Sequence, residues 1–97
     1  MFVVIFRAKI NEPDEQYEST AAELRELARA EYHCAGFHAV AENGVEIALS
    51  YWHSLEDIEN WKNDPAHKSA QEKGRRKYYQ SYEVQVARIE RQYAFTT

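Results

Sequence analysis

The sequence contains little cysteine and glycine, and it has no long apolar run. Cys34 is the only cysteine among 97 residues, which excludes an internal disulfide and leads us to expect a reducing, cytoplasmic compartment. The three glycines are too scattered for a phosphate-binding loop, and no Ser or Cys nucleophile motif is present. Since no apolar run approaches the roughly 20 residues that span a bilayer, and no signal-like segment begins the chain, we expect no membrane association.

Positive charge is outnumbered by negative charge, with 12 Lys and Arg against 16 Asp and Glu. The net charge is -4 and the pI is about 5.5, so a nucleic-acid partner is not expected. The one basic cluster, Lys73 to Lys77, lies at the predicted end of a helix, where cations complement the helix dipole. This pattern is typical of a solvated helix end, and the alternative is an anion site.

What the chain does contain fits one globular domain covering residues 1–97. The apolar fraction of 44% is far above that of disordered chains, and 97 residues are too few for a second core. Seven Tyr, four Phe and two Trp make the chain rich in side chains that favour pocket walls and subunit interfaces.

Alternation and helical spacing predict the first half of the fold. Phe2 to Ile10 alternates as a strand, and an apolar stripe at helical spacing follows, formed by Tyr17, Ala21, Leu24, Leu27, Ala28 and Tyr32. Asn43-Gly44 between two alternating runs predicts a hairpin with a type I′ turn, in which Val40 faces Ile47.

The stretch from Glu46 to Tyr79 organises the second half. A strand ending at Trp52 leads into a helix capped by Ser54, and Asn63-Asp64-Pro65 breaks that helix and starts the next. Tyr82 to Phe95 is predicted as a last, long strand whose apolar phase switches near Arg88, through a bulge or through departure toward a partner.

These elements give the order βαββαβ. We therefore predict an α+β fold with a ferredoxin-like antiparallel sheet and helices on one face. Apolar residues on both faces of the first and last strands imply that the other sheet face is also covered: Val3, Ile5, Val84, Val86, Ile89 and Tyr93.

The central stretch resembles the antibiotic biosynthesis monooxygenase family. The resemblance is carried by Glu46-Ile47-Ala48, Ser50-Tyr51-Trp52, Ser54, Asp57-Ile58, Trp61-Lys62, His67, Ala70-Gln71 and Gly74-Arg75. It implies a homodimer in which two ferredoxin-like protomers pack sheet against sheet into a dimeric α+β barrel. It also implies a pocket between sheet and helices, with a Trp at the position of Trp61 on its wall.

Candidate site residues follow from the central stretch. His67 lies in the first turn of a helix, where the dipole disfavours a charged imidazole, and a neutral His can deprotonate a phenol or hydroquinone. We therefore predict His67 as the catalytic base and Trp52, Trp61 and Gln71 as substrate-binding residues. The alternatives are a surface histidine and two core tryptophans.

Two metal-dependent functions are not expected. Members of the haem-degrading branch of this family carry an axial His ten residues after the Trp and an Asn near the end of the first strand, but here Gln71 and Phe6-Arg7 stand there. His33, Cys34 and His38 have no further ligands at zinc-site spacing. The sequence therefore predicts a cofactor-independent monooxygenase for a small aromatic or quinol-type molecule, and the alternative is a non-catalytic ligand-binding or structural dimer.

Overall fold

A computed structural model describes all 97 residues, Met1 to Thr97. The chain forms the strands β1 (Phe2–Ile10), β2 (Gly36–Glu42), β3 (Val45–Trp52) and β4 (Tyr79–Arg88), and the helices α1 (Glu15–Glu31), α2 (Leu55–Lys62) and α3 (Pro65–Lys73). A π-helical turn, Gly74–Tyr78, joins α3 to β4. The four strands form one antiparallel sheet in the order β2-β3-β1-β4, so the ferredoxin-like prediction is confirmed.

The hairpin between β2 and β3 has the predicted register. Val40 faces Ile47, and both turn residues have positive φ, at 53° for Asn43 and 77° for Gly44. A type I′ turn requires positive φ at both positions, which Asn and Gly tolerate better than other residues. The turn chemistry therefore fixes which side chains of β3 face the helices.

The helices cover the sheet face that carries Ala8, Ala48 and Trp52, all of which are buried. Asp14 begins α1 by accepting a hydrogen bond from the Tyr17 amide, and Tyr17 and Ala28 are the buried members of its stripe. α1 ends at Glu31, so Tyr32 is the residue that caps it rather than part of its last turn.

The last strand differs from the prediction at both ends. β4 begins at Tyr79, and a register shift opposite Lys9 and Ile10 turns Tyr79 and Tyr82 toward the same sheet face. The strand ends at Arg88 because its neighbour β1 begins at Phe2 and offers no further partner beyond the bond from Ile89 to Met1. Within the single chain β4 therefore ends before the predicted Phe95 and has no bulge near Arg88, and the alternative, departure of this segment toward a partner, stays a prediction.

The assignment of apolar residues to the uncovered sheet face also needs correction. Val84 and Val86 pair with Phe6 and Val4, so they lie on the helix side, where they stay 48% and 50% exposed. The apolar residues of the uncovered face come mainly from the other strands: Val3, Ile5, Val40, Ile47, Leu49 and Tyr51. Its apolar centre is therefore β1 and β3 rather than β4.

None of the helices is long and apolar enough to cross a membrane. Cys34 has a free thiol that donates to the carbonyl oxygen of Gly36 at 3.2 Å. A cytoplasmic location, expected from this single cysteine, stays a prediction.

Trp52 is the largest fully buried side chain, with 0% of its surface exposed. It lies opposite Phe2 at the end of β3, and its indole N–H donates to the Ser50 hydroxyl at 2.8 Å. A buried Trp with its one polar atom satisfied contributes a large apolar area without a desolvation penalty.

Replacing Trp52 with Ala should lower the free energy of unfolding by about 3 to 5 kcal/mol, because the cavity cannot fully collapse. Urea unfolding of both proteins at equal concentration measures this difference. Leu55→Ala serves as the control, since Leu55 is 54% exposed and should change stability by no more than about 0.5 kcal/mol. Equal losses in the two variants would contradict the assignment of Trp52 to the core.

Candidate active site

The break between α2 and α3 determines where the candidate residues lie. Asn63 ends α2, and Asp64 has φ −63° and ψ 133°, the extended geometry favoured before a proline. The Asp64 carboxylate accepts from the amides of Ala66 at 2.8 Å and His67 at 3.3 Å, which caps α3. Pro65 occupies the first helical position, where a missing N–H costs nothing.

This break brings His67 against Trp61. The two ring centroids are 4.7 Å apart with the planes inclined by 55°. On one continuous helix, residues six apart project about 240° from each other and would not meet. The change of helix axis at Asp64 therefore makes the contact possible.

Tyr32 completes the group, which we call the His67 cluster: Tyr32, Trp61, Asp64 and His67. The Tyr32 ring lies 5.4 Å from that of Trp61, and its hydroxyl donates to Asp64 Oδ2. This hydrogen bond lowers the pKa of Asp64 and raises the pKa of Tyr32. The cluster thus joins the end of α1 to both later helices.

The imidazole of His67 is mostly enclosed, and burial lowers its pKa below that of an ordinary histidine. The Lys62 backbone and the charge of Asp64 act in the opposite direction. His67 Nδ1 is buried and has no hydrogen-bond partner. Because buried polar atoms are nearly always paired, this unpartnered ring nitrogen is the notable chemical feature of the cluster.

The other predicted residues differ in their surroundings. Gln71 is half-buried on α3, one helical turn beyond His67. Trp52 presents no accessible surface, so a ligand would reach it only if a neighbouring group moved. Ligand contact by Trp52, Trp61 and Gln71 stays a prediction.

Two open grooves lie elsewhere on the surface. One, of about 610 Å³, lies between the β1–α1 connection and the Asn43-Gly44 turn. The other, of about 410 Å³, runs between α1 and β2 and is lined in part by Arg25, Phe37 and Glu46. Neither groove is lined by Trp61 or His67.

A second polar group lies near the start of β3 and was not predicted from the sequence. Tyr17 donates from its hydroxyl to Glu46 Oε2 at 2.9 Å, and its oxygen is 3.3 Å from that of Tyr79. Burial raises the pKa of both Glu46 and Tyr79. Strand alternation was the available signal, since Glu46 shares the inner face of β3 with Ala48.

Some of the remaining charged and metal-like residues have local partners. His33 Nδ1 lies 3.3 Å from Asp57 Oδ1, and no three His, Cys, Asp or Glu side chains are grouped to hold a metal. In the basic cluster, Lys77 pairs with Asp14 at 3.2 Å and Arg75 donates to the Tyr82 hydroxyl at 3.0 Å. These contacts favour the solvated helix end over an anion site.

Comparison with known proteins gives the same fold over almost the whole chain. SnoaB from Streptomyces nogalater, a cofactor-independent oxygenase solved as the mutant N63A, superposes with a TM-score of 0.79 at 11% identity, covering 94% of each chain. A conserved protein from Methanosarcina mazei Go1 gives 0.79 at 13% identity over 92% of each chain. At these identities the similarity establishes the fold alone.

Sequence comparison goes further. The Bacillus subtilis protein YqjZ, described as uncharacterized, is 38% identical over 95 residues, which covers 97% of this chain and 83% of the relative. The sequence model named antibiotic biosynthesis monooxygenase matches residues 1–73, which include all of α1, the hairpin and the His67 cluster. The chain belongs to the antibiotic biosynthesis monooxygenase family.

Proposed function

We propose that the protein is a cofactor-independent monooxygenase of a small phenolic or quinol-type aromatic, with His67 as the base. The observation that carries this proposal is the buried, unpartnered Nδ1 of His67, whose imidazole packs against the Trp61 ring. Family membership and the fold shared with SnoaB, a cofactor-independent oxygenase, support it.

In the proposed reaction the protein supplies a base, His67. His67 accepts the phenolic proton, and the electron-rich phenolate reacts with dioxygen to form a carbon–oxygen bond at the para carbon. The proton held by His67 then passes to the outer peroxide oxygen. Loss of water from the resulting hydroperoxide leaves a quinone, so one oxygen atom enters the product and the other leaves as water. The substrate supplies both electrons needed to reduce the second oxygen atom.

Access to Nδ1 is the requirement that the structure places on this reaction. Nδ1 has no exposed surface, so a substrate must displace a covering group before it can be deprotonated. If nothing moves, the His67 cluster is structural, and the protein is a ligand-binding or structural member of the family. Turnover therefore discriminates between the two functions.

His67→Ala should reduce turnover of alpha-naphthol to the para-naphthoquinone by about 100-fold or more, because a positioned general base contributes that much. Isotopically labelled dioxygen and mass spectrometry measure oxygen incorporation into the product. His53→Ala is the matched control, since His53 is an exposed histidine outside the His67 cluster. Unchanged turnover in His67→Ala, with equal melting temperatures, would remove His67 as the base.

Haem should not be degraded by this protein. Gln71 stands where the axial ligand of haem-degrading relatives is expected, and its side-chain amide is a poor iron ligand beside an imidazole. Absorbance spectra recorded with haem, a reductant and oxygen test this directly. Formation of a biliverdin-like product or release of iron would contradict the prediction.

We also propose that two copies pack through the uncovered sheet face. That face carries a continuous apolar patch on β1, β2 and β3, including Val40 at 56% exposure, and large exposed apolar patches mark association sites. The tail beyond Arg88 supports this proposal, because Tyr93 and Phe95 are both 87% exposed in the single chain.

Light scattering at micromolar concentration should give twice the chain mass of 11.4 kDa. Leu49→Lys places a charge in the centre of the patch and should shift the protein toward the monomer, because an unpaired buried charge is costly. Leu55→Lys, on the exposed side of α2, should leave the mass unchanged. A wild-type monomer at this concentration would overturn the proposal.

A further inference from the structure

The four residues of the His67 cluster come from three helices, and each contacts at least two others of the cluster. The Tyr32 ring packs against Trp61, and the Tyr32 hydroxyl donates to Asp64. Asp64 accepts from the His67 amide, and the His67 ring packs against Trp61. We propose that Tyr32 and Asp64 are positioning residues for His67, holding the first turn of α3 so that the imidazole packs against Trp61 and Nδ1 stays buried. This inference rests on the proposed role of His67 as a base.

Asp64 acts on the backbone of His67 rather than on its ring. Oδ1 accepts from the amides of Ala66 and His67, and Oδ2 accepts from the Tyr32 hydroxyl. Both carboxylate oxygens are thus engaged, and each contact fixes the start of α3. The direction in which the His67 side chain leaves the helix is set by that first turn.

Tyr32 connects this turn to the rest of the fold. It is the residue that ends α1, so its backbone belongs to the helix packed on the sheet. Its phenol hydroxyl donates to Asp64, and its ring lies 5.4 Å from the ring of Trp61. Without the hydroxyl, the cap of α3 loses this side-chain link to α1.

The proposed role of His67 requires one particular tautomer. Nδ1 is the buried, unpartnered nitrogen, so a base at this position needs the proton of the neutral ring on Nε2 and the lone pair on Nδ1. Positioning by Asp64 and Tyr32 keeps that buried nitrogen in place.

The chain contains a matched arrangement that serves as an internal control. Asp14 caps α1 by accepting from the Tyr17 amide at 2.8 Å, and the Tyr78 hydroxyl donates to the same carboxylate at 2.8 Å. This is again a capping aspartate held by a tyrosine, but neither residue contacts His67. Equivalent substitutions at the two sites separate the loss of a cap from the loss of His67 positioning.

The test is the imidazole titration of His67 followed by nuclear magnetic resonance in Asp64→Asn, Tyr32→Phe, Asp14→Asn and Tyr78→Phe. Asn still caps a helix but carries no charge, so Asp64→Asn should lower the pKa of His67, because the Asp64 charge favours the imidazolium. Tyr32→Phe should raise the pKa of His67, because Asp64 regains its unshared charge and the ring becomes less enclosed. Desolvation, Asp64 and the Lys62 backbone are the influences on the pKa of His67.

Two further signals report orientation. In Tyr32→Phe the ring-current shift that Trp61 imposes on the His67 protons should shrink, and the nitrogen shifts should show a mixture of the two neutral tautomers. Asp14→Asn and Tyr78→Phe should leave all three signals unchanged. If the Asp64 and Tyr32 variants give the wild-type pKa, tautomer and ring-current shift, or if the Asp14 and Tyr78 variants move them equally, the positioning role is wrong.

Activity gives an independent result. With alpha-naphthol as the probe, Tyr32→Phe should lower kcat by about tenfold or more with little change in KM, since misplacing a reacting group affects the chemical step. Absence of turnover in the wild type would overturn the proposed function and leave the titration result standing. If Tyr32→Phe shifts the pKa of His67 as expected but leaves kcat unchanged, the positioning role in catalysis is wrong.

Discussion

The arrangement of the candidate site depends on the Asp64–Pro65 step. Proline disfavours helical geometry in the residue before it, and Asp64 is accordingly extended, which ends the preceding helical path and starts α3 on a new axis. The same aspartate caps α3 and receives the Tyr32 hydroxyl. A single backbone constraint thus aligns two helices, positions His67 against Trp61 and ties both to α1.

Polar groups on the helix side of the sheet differ in whether they have a hydrogen-bond partner. The Trp52 N–H is satisfied by Ser50, and the Glu46 carboxylate by Tyr17. His67 Nδ1, in contrast, is buried without a partner. Burial without a hydrogen bond costs free energy, so an unpaired atom in an otherwise satisfied interior is the kind of exception found where a reacting or binding group is needed.

The core of a single chain is small for a sheet of four strands. Only seven residues are buried, and several apolar side chains on both sides of the sheet stay half-exposed. A chain of this length buries a smaller fraction of its surface than a larger domain does, and association is a common way to compensate. The apolar patch on the uncovered face and the exposed aromatic tail are therefore parts of the same stability problem.

Much of the fold followed from the sequence because its signals are local. Asn43-Gly44 fixed the hairpin register through positive φ, and Ser54, Asp64 and Pro65 fixed two helix starts through capping. Each of these depends on a few adjacent residues whose backbone preferences do not change with their surroundings.

Other features were decided only by the tertiary structure. β4 ends at Arg88 because β1 supplies no further partner, although the alternation of apolar residues continues to Phe95. The Tyr32 hydroxyl binds Asp64 across a sequence separation of 32, and the Tyr17 hydroxyl binds Glu46 across a separation of 29. No local sequence pattern specifies either hydrogen bond. Hydrogen bonds between distant side chains depend on how the helices settle on the sheet, which is why sequence periodicity predicted the elements but not the cluster they form.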